Sequence, residues 1–191
     1  TADASKVYDG QPLAAGTATA VDDNGNPVKV EYSANGADWT ENASDVTATA
    51  VADSKTVQVR ASVEGTYTGY VSGTQSLAVT ARPLDIVGGG WSVEQPYTGS
   101  EYATDAFEVE QANAANDSGL VAGQKVEGLS YSLRGTAVNT YTGEFSGTPA
   151  VMADGADVAA NYNVTTTPGK LTITASEIAG KVHLTTADAS K

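Results

Sequence analysis

The chain has 191 residues, with 10 Lys and Arg against 23 Asp and Glu, a net charge of −13. Such a charge argues against nucleic acid and anionic membrane surfaces as partners, and the absence of cysteine excludes a disulfide framework and thiolate chemistry. No run approaches the ~18–20 apolar residues that span a bilayer, so membrane insertion is not expected, and no signal peptide is read, as expected of an internal piece.

The chain opens on Thr1-Ala2-Asp3-Ala4-Ser5-Lys6, which recurs as Thr186-Ala187-Asp188-Ala189-Ser190-Lys191, an offset of 186 − 1 = 185 residues. The simplest reading is one full period of a tandem array plus the opening of the next copy; accident or a cloning scar is the competing one. Val7-Tyr8-Asp9-Gly10 follows and reads as a turn. Asp22, Asn24 and Asn26 place three side-chain oxygens at alternate positions, which imitates the start of a calcium loop. Pro27 stands where that loop wants Gly, and Ser33 where it wants Glu. A hairpin turn between Val21 and Val28 accounts for the same residues.

Residues 27–32 alternate as a half-buried strand, and Ala34-Asn35-Gly36-Ala37-Asp38 reads as the turn after it. Residues 55–63 alternate strictly, with Val57, Val59, Ala61 and Val63 on one face. Residues 76–80, 106–110 and 170–174 repeat the pattern, the last after a Thr167-Pro168-Gly169 turn. Gly88-Gly89-Gly90 reads as a bulge or unpaired stretch. No segment shows a period of 3.6, so the expected class is all-β.

The period itself falls into two related halves. Val7-Tyr8-Asp9-Gly10 matches Pro96-Tyr97-Thr98-Gly99, and Leu77-Ala78-Val79-Thr80-Ala81 matches Leu171-Thr172-Ile173-Thr174-Ala175. The sequence therefore predicts two small β modules end to end, residues 1–82 and 83–177, joined stiffly at Arg82-Pro83. Ig-like sandwiches are expected, with a β-grasp-like sheet as the alternative. Residues 178–191 are read as the first strand of the next copy, by analogy with Leu84-Asp85-Ile86-Val87. Tyr8, Gly10, Tyr97, Gly99, Arg82 and Pro83 are the structural motif positions.

Candidate chemistry is sparse. His183 is the lone histidine, and without a second His or any Cys it is read as a side chain on an exposed strand. Glu108 and Glu110 lie on one strand face, as solvated acids commonly do; a sugar cleft would want aromatics, and Trp39 and Trp91 supply one per module. Asp154, Asp157 and Asn161 form a second, weak calcium candidate. Lys29, Lys55, Lys125 and Lys170 sit in or near candidate strands, where Lys–Asn cross-links can form, but no diagnostic motif accompanies them. Asn42, Asn116 and Asn163 head acceptor sequons. Catalytic residues, cofactors and bound metals are not expected, apart from the calcium alternative.

Several stretches carry a resemblance. Tyr8-Asp9-Gly10-Gln11-Pro12-Leu13, then Glu31-Tyr32-Ser33-Ala34-Asn35-Gly36-Ala37-Asp38-Trp39, then Asn161-Tyr162-Asn163-Val164 with Pro168-Gly169-Lys170-Leu171-Thr172-Ile173-Thr174, resemble in order the MBG and YDG repeat modules of Gram-positive surface adhesins. Thr98 departs from the Asp of the YDG type. The resemblance implies a secreted, cell-wall-anchored, non-enzymatic module. Two roles follow from it: a spacer holding a distal binding domain away from the wall, or an adhesive repeat that binds a host protein or glycan through avidity. Adjacent copies are the expected partners.

Overall fold

A computed structural model describes residues 2–63, 65, 68–178 and 180–185. The protein is all-β, with 51% of residues in strands, several sheets and a sandwich-like organisation. The strands are β1 (Ala4–Val7), β2 (Leu13–Ala14), β3 (Lys29–Ser33), β4 (Thr47–Ala48), β5 (Lys55–Ser62), β6 (Val71–Thr80), β7 (Arg82–Gly88) and β8 (Gln95–Pro96). They continue as β9 (Tyr102–Thr104), β10 (Phe107–Val109), β11 (Lys125–Gly135), β12 (Asn139–Thr142), β13 (Glu144–Ala153), β14 (Ala156–Asp157), β15 (Tyr162–Thr167) and β16 (Lys170–Thr174). Among the described residues three short 3-10 turns, Ala43–Asp45, Val51–Asp53 and Ala159–Asn161, interrupt them. Each strand expected from alternation is present, with bounds shifted by a residue or two; β6 is longer, starting at Val71 rather than at Ser76.

The chain divides into two compact units. Unit 1 comprises Thr1–Asp85, Val109–Glu127 and Pro149–Thr165; unit 2 comprises Ile86–Glu108, Gly128–Thr148 and Thr166–Lys191. This partition differs from chain halves meeting at Arg82-Pro83: that joint lies inside unit 1, within β7. The physical reason is burial. Leu84 is fully buried and joins the same cluster as Tyr8, Tyr32, Val57, Val59, Leu77 and Val79. Leu120, Val151 and Tyr162 belong to that cluster too, so the core of unit 1 recruits residues from well beyond residue 82.

In unit 1 the main sheet has the order β1-β6-β5-β3. β5 and β6 pair antiparallel from Lys55↔Leu77 to Ala61↔Val71. β1 pairs with β6 in parallel, Ala4↔Leu77 through Val7↔Thr80. A β2–β4 pair is separate. In unit 2 the sheet β12-β16-β8 is closed by a parallel β16–β8 pair. Its core is Tyr131, Leu133, Leu171 and Ile173, with Trp91, Tyr102, Phe107, Tyr141 and Phe145 packed against it. The two remaining strand orders are β10-β7-β15 and β14-β13-β11-β9.

The matched halves share one backbone device. Tyr8 N–H donates to the Thr80 carbonyl at 2.9 Å, and Tyr97 N–H to the Thr174 carbonyl at 2.8 Å. Each bond prolongs a parallel pair by one residue, just before a left-handed glycine, Gly10 (φ 77°) or Gly99 (φ 82°). The side chains diverge: Tyr8 is buried and Tyr97 exposed.

Residues 186–191, and with them the second hexapeptide, lie outside the described residues, as does Thr1. The expectation of a strand over residues 178–185 is not met among the described ones. Residues 180–185 form no strand, and Ile178, Val182 and Leu184 are exposed. His183 is exposed, as expected, but sits on no strand.

Candidate interaction surface

A set of partly exposed charged and aromatic side chains lies on the outer face of β3, β5 and β6 in unit 1. It is prepared by the turn after β3. The buried Ser33 hydroxyl accepts from Gly36 N–H at 2.9 Å, and Asn35 Oδ1 accepts from Ala37 and Asp38 N–H, both at 2.9 Å. Gly36 takes φ 76°, which only glycine adopts cheaply. The closed turn presents Trp39, whose indole Nε1 donates back to the Gly36 carbonyl at 3.2 Å.

Strand register then brings charges to the ring. Glu31 on β3 stands directly opposite Arg60 on β5. Arg60 Nε donates to Glu31 Oε2 at 2.7 Å, and Lys29 bridges Glu31 at 3.3 Å and Glu41 at 3.0 Å. The Arg60 guanidinium lies over the Trp39 ring at 4.0 Å, with Tyr70 at 5.6 Å. A shallow depression of about 450 Å³ beside them is lined by Trp39, Arg60, Tyr70 and the outward polar side chains Thr56, Gln58 and Ser72. Trp39 is absent from the core cluster, whereas Trp91 packs on the core of unit 2, edge-to-face with Tyr102 at 5.8 Å. Trp39→Ala is therefore expected to cost only about 1 kcal/mol or less in urea unfolding, the scale of an exposed cation–π pair.

Arg60 holds the Glu31 carboxyl below its ordinary value of 4.5, and Glu41 and Glu31 together hold Lys29 above its ordinary 10.5. A carboxylate whose folded pKa is depressed contributes stability above its unfolded pKa and loses it as pH falls through the folded one. The thermal deficit of Glu31→Gln relative to the parent is thus expected to stay constant from about pH 7 to about pH 5. It should then shrink below the ordinary value of 4.5. A deficit that persists undiminished at about pH 2.5 would refute the assignment of this ion pair.

The other positions named from sequence have structural occupations. Asp22 accepts from Asn24 N–H and Asn26 N–H, both at 2.8 Å, and from Asn26 Nδ2 at 3.0 Å. These bonds, led by the Asn26 side chain, hold the Asp22 carboxyl below its ordinary 3.8. The loop is the hairpin turn of the competing reading, with Val21 bridged to Pro27 and Gly25 at φ 83°. Asp157 Oδ1 accepts from Ala159 N–H, and the buried Asn161 Oδ1 from Val51 N–H at 2.8 Å. Among the described residues no group of three or more His, Asp or Glu is arranged to hold a metal. Glu110 accepts from Ser118 Oγ, while Glu108 is exposed. Lys29 and Lys125 are in ion pairs, Lys55 donates to the Thr47 carbonyl, and Lys170 is exposed.

Arg82 and Tyr8 come together. Arg82 is only 5% exposed. Its Nε donates to the Gly119 carbonyl at 2.7 Å, one terminal nitrogen to the Ser118 carbonyl at 2.6 Å, and the other to the Tyr8 carbonyl at 3.3 Å. The Pro83 carbonyl accepts from Gly119 N–H at 2.8 Å. Tyr8 meets Tyr162 edge-to-face at 5.5 Å, and Gln124 links the two hydroxyls at 3.1 and 2.7 Å. Sequence reasoning passed over Arg60, Tyr70 and Gln124. Arg60 carried a weak signal, as a charge in the middle of a polar face otherwise made of Thr56, Gln58 and Ser62.

Comparison with protein-family models, with curated proteins and with solved structures finds no match to this chain.

Proposed function

We propose that the chain is a repeat unit of an extracellular stalk in a cell-wall-anchored surface protein of a Gram-positive bacterium, of the MBG or YDG kind. Two Ig-like modules per copy would hold a distal binding domain away from the wall, without enzymatic chemistry; β-grasp-like modules are the alternative. The observation that carries this reading is the structural use of the recurring hexapeptide. Asp3 Oδ1 accepts from Ser76 N–H at 2.7 Å, and Ala4-Ser5-Lys6 pairs along Leu77-Ala78-Val79. A segment that closes a sheet edge recurs when the folded unit recurs. The net charge of −13 favours solubility and keeps neighbouring stalks apart. The test replaces the repeats, on the displayed protein, by unrelated β modules of equal total length. Adhesion through the distal domain is expected to be retained; its loss at unchanged display length would overturn the spacer role.

The Trp39–Arg60–Tyr70 face supports a second reading, an adhesive repeat. Half-exposed aromatic rings beside Gln, Ser and Thr side chains suit the apolar faces and hydroxyls of a glycan. Trp39→Ala combined with Tyr70→Ala would abolish adhesion under this reading and leave it intact under the first.

A further inference from the structure

Unit 1 has an apolar groove of about 490 Å³ whose walls are residues 20–23 and 68–71 and whose floor includes Ala61 and Val63. Its apolar side chains are open to solvent: Val21 is 65% exposed, Tyr70 64% and Val71 78%. Ala61 and Val63 continue the face on which Val57 and Val59 are buried, so the groove is an open end of the core. β1 covers β6 only from Leu77 to Thr80. Among the described residues no strand lies against β6 at Val71 on that side.

The repeated half of the chain says what belongs there. β8 pairs in parallel with β16, as β1 does with β6. Upstream of β8 runs β7, which stands between β10 and β15 in the strand order. β10 starts 107 − 97 = 10 residues after Tyr97, and the same step from Tyr8 reaches Ala18. β15 starts 171 − 162 = 9 residues before Leu171, and the same step back from Leu77 reaches Thr68. The place that matches β15, residues 68–73, therefore holds one wall of the groove, the place that matches β10, residues 18–20, runs into the other wall at Ala20, and among the described residues no strand occupies the place that matches β7. β7 fills its own place with Leu84 and Ile86, both fully buried, at alternate positions.

We propose that residues 178–185 of one copy are the strand that fills this groove in the next copy, so that successive copies interlock. Ile178, Val182 and Leu184 are 69%, 64% and 91% exposed where they stand. They share one parity, which a strand would turn to one face. Lys181 and His183 occupy the other parity, and the groove wall carries Asp22 and Asp23. In a tandem array the chain preceding Thr1 is this same segment of the preceding copy, which delivers it to the groove in cis. The inference rests on the tandem reading of the hexapeptide and not on where the array is displayed.

The test uses the full chain extended at its N-terminus by a copy of its own residues 175–185. Tm is expected to rise by about 5 °C or more, as burial of two or three apolar side chains in a domain of this size implies. Amide exchange at residues 68–73 should slow by about tenfold or more. The same extension carrying Val182→Asp and Leu184→Asp should give neither effect. No change on extension, or an equal rise with the doubly substituted extension, would overturn the proposal. Adhesion after repeat exchange reports on the spacer role independently.

Discussion

Replacing Arg82 by Met is expected to destabilise the protein by about 3–5 kcal/mol, read as a fall in the urea midpoint at unchanged slope. Met keeps most of the stem volume, so the loss is that of the guanidinium. That group donates to three backbone carbonyls, those of Tyr8, Ser118 and Gly119. Among the described residues no carboxylate pairs with it. The charge is balanced by carbonyl dipoles, and its removal takes a donor from the buried Tyr8 and Gly119 carbonyls, while the Ser118 carbonyl keeps the Asn113 N–H at 2.9 Å. Each such orphan costs about 1–3 kcal/mol, less than additively. Arg82→Lys should recover little of this, because an ammonium cannot reproduce the planar fork. A cost of about 1 kcal/mol or less for Arg82→Met would mean that water satisfies the carbonyls instead.

Gly88→Val is expected to cost about 2–4 kcal/mol, with loss of ordered packing in unit 2. A Cβ at position 88 would lie 2.3 Å from the Tyr131 ring. Tyr131 is buried, donates to the Gly89 carbonyl at 2.7 Å and accepts from Gly169 N–H at 3.1 Å. The ring also packs on Phe145 at 4.7 Å between centroids. Even a methyl at position 88 must displace the ring and break both bonds. The cost is steric, since the φ of Gly88 is not in the left-handed region. A double-mutant cycle checks the cause: Gly88→Ala should cost much less in a Tyr131→Ala background. Equal costs in both backgrounds would show that the ring is not the obstacle.

The strands were legible because alternation and turn chemistry are local. Lys55–Ser62 reads as a strand from its own residues, since Val57 and Val59 must face one way. Asn35-Gly36 reads as a turn because the side-chain carbonyl and the free φ act within a few residues. The Tyr8 and Tyr97 turns were matched by sequence alone, and the structure gives both the same parallel-pair bond to a threonine carbonyl. Arg82 was legible as a joint but not as a buried anchor. Its partners Ser118 and Gly119 lie some 36–37 residues away, and no local pattern encodes that separation. Likewise the Trp39 face needed the register that sets Glu31 opposite Arg60, because the guanidinium reaches the ring only once its carboxylate partner is fixed.

Sequence by itself determined the class: a β chain with a repeated hexapeptide, a duplicated Tyr-x-Gly turn and no thiol chemistry. These follow from composition and from interactions spanning a few residues. Tertiary structure decided which residues share a core. It put Leu84, Leu120 and Tyr162 beside Tyr8 and Val57, although the chain pattern breaks at Arg82-Pro83. It also left Val21, Tyr70 and Val71 around an open groove. Burial is set by whichever segments arrive at the same place, and that depends on long-range closure that no window of sequence contains.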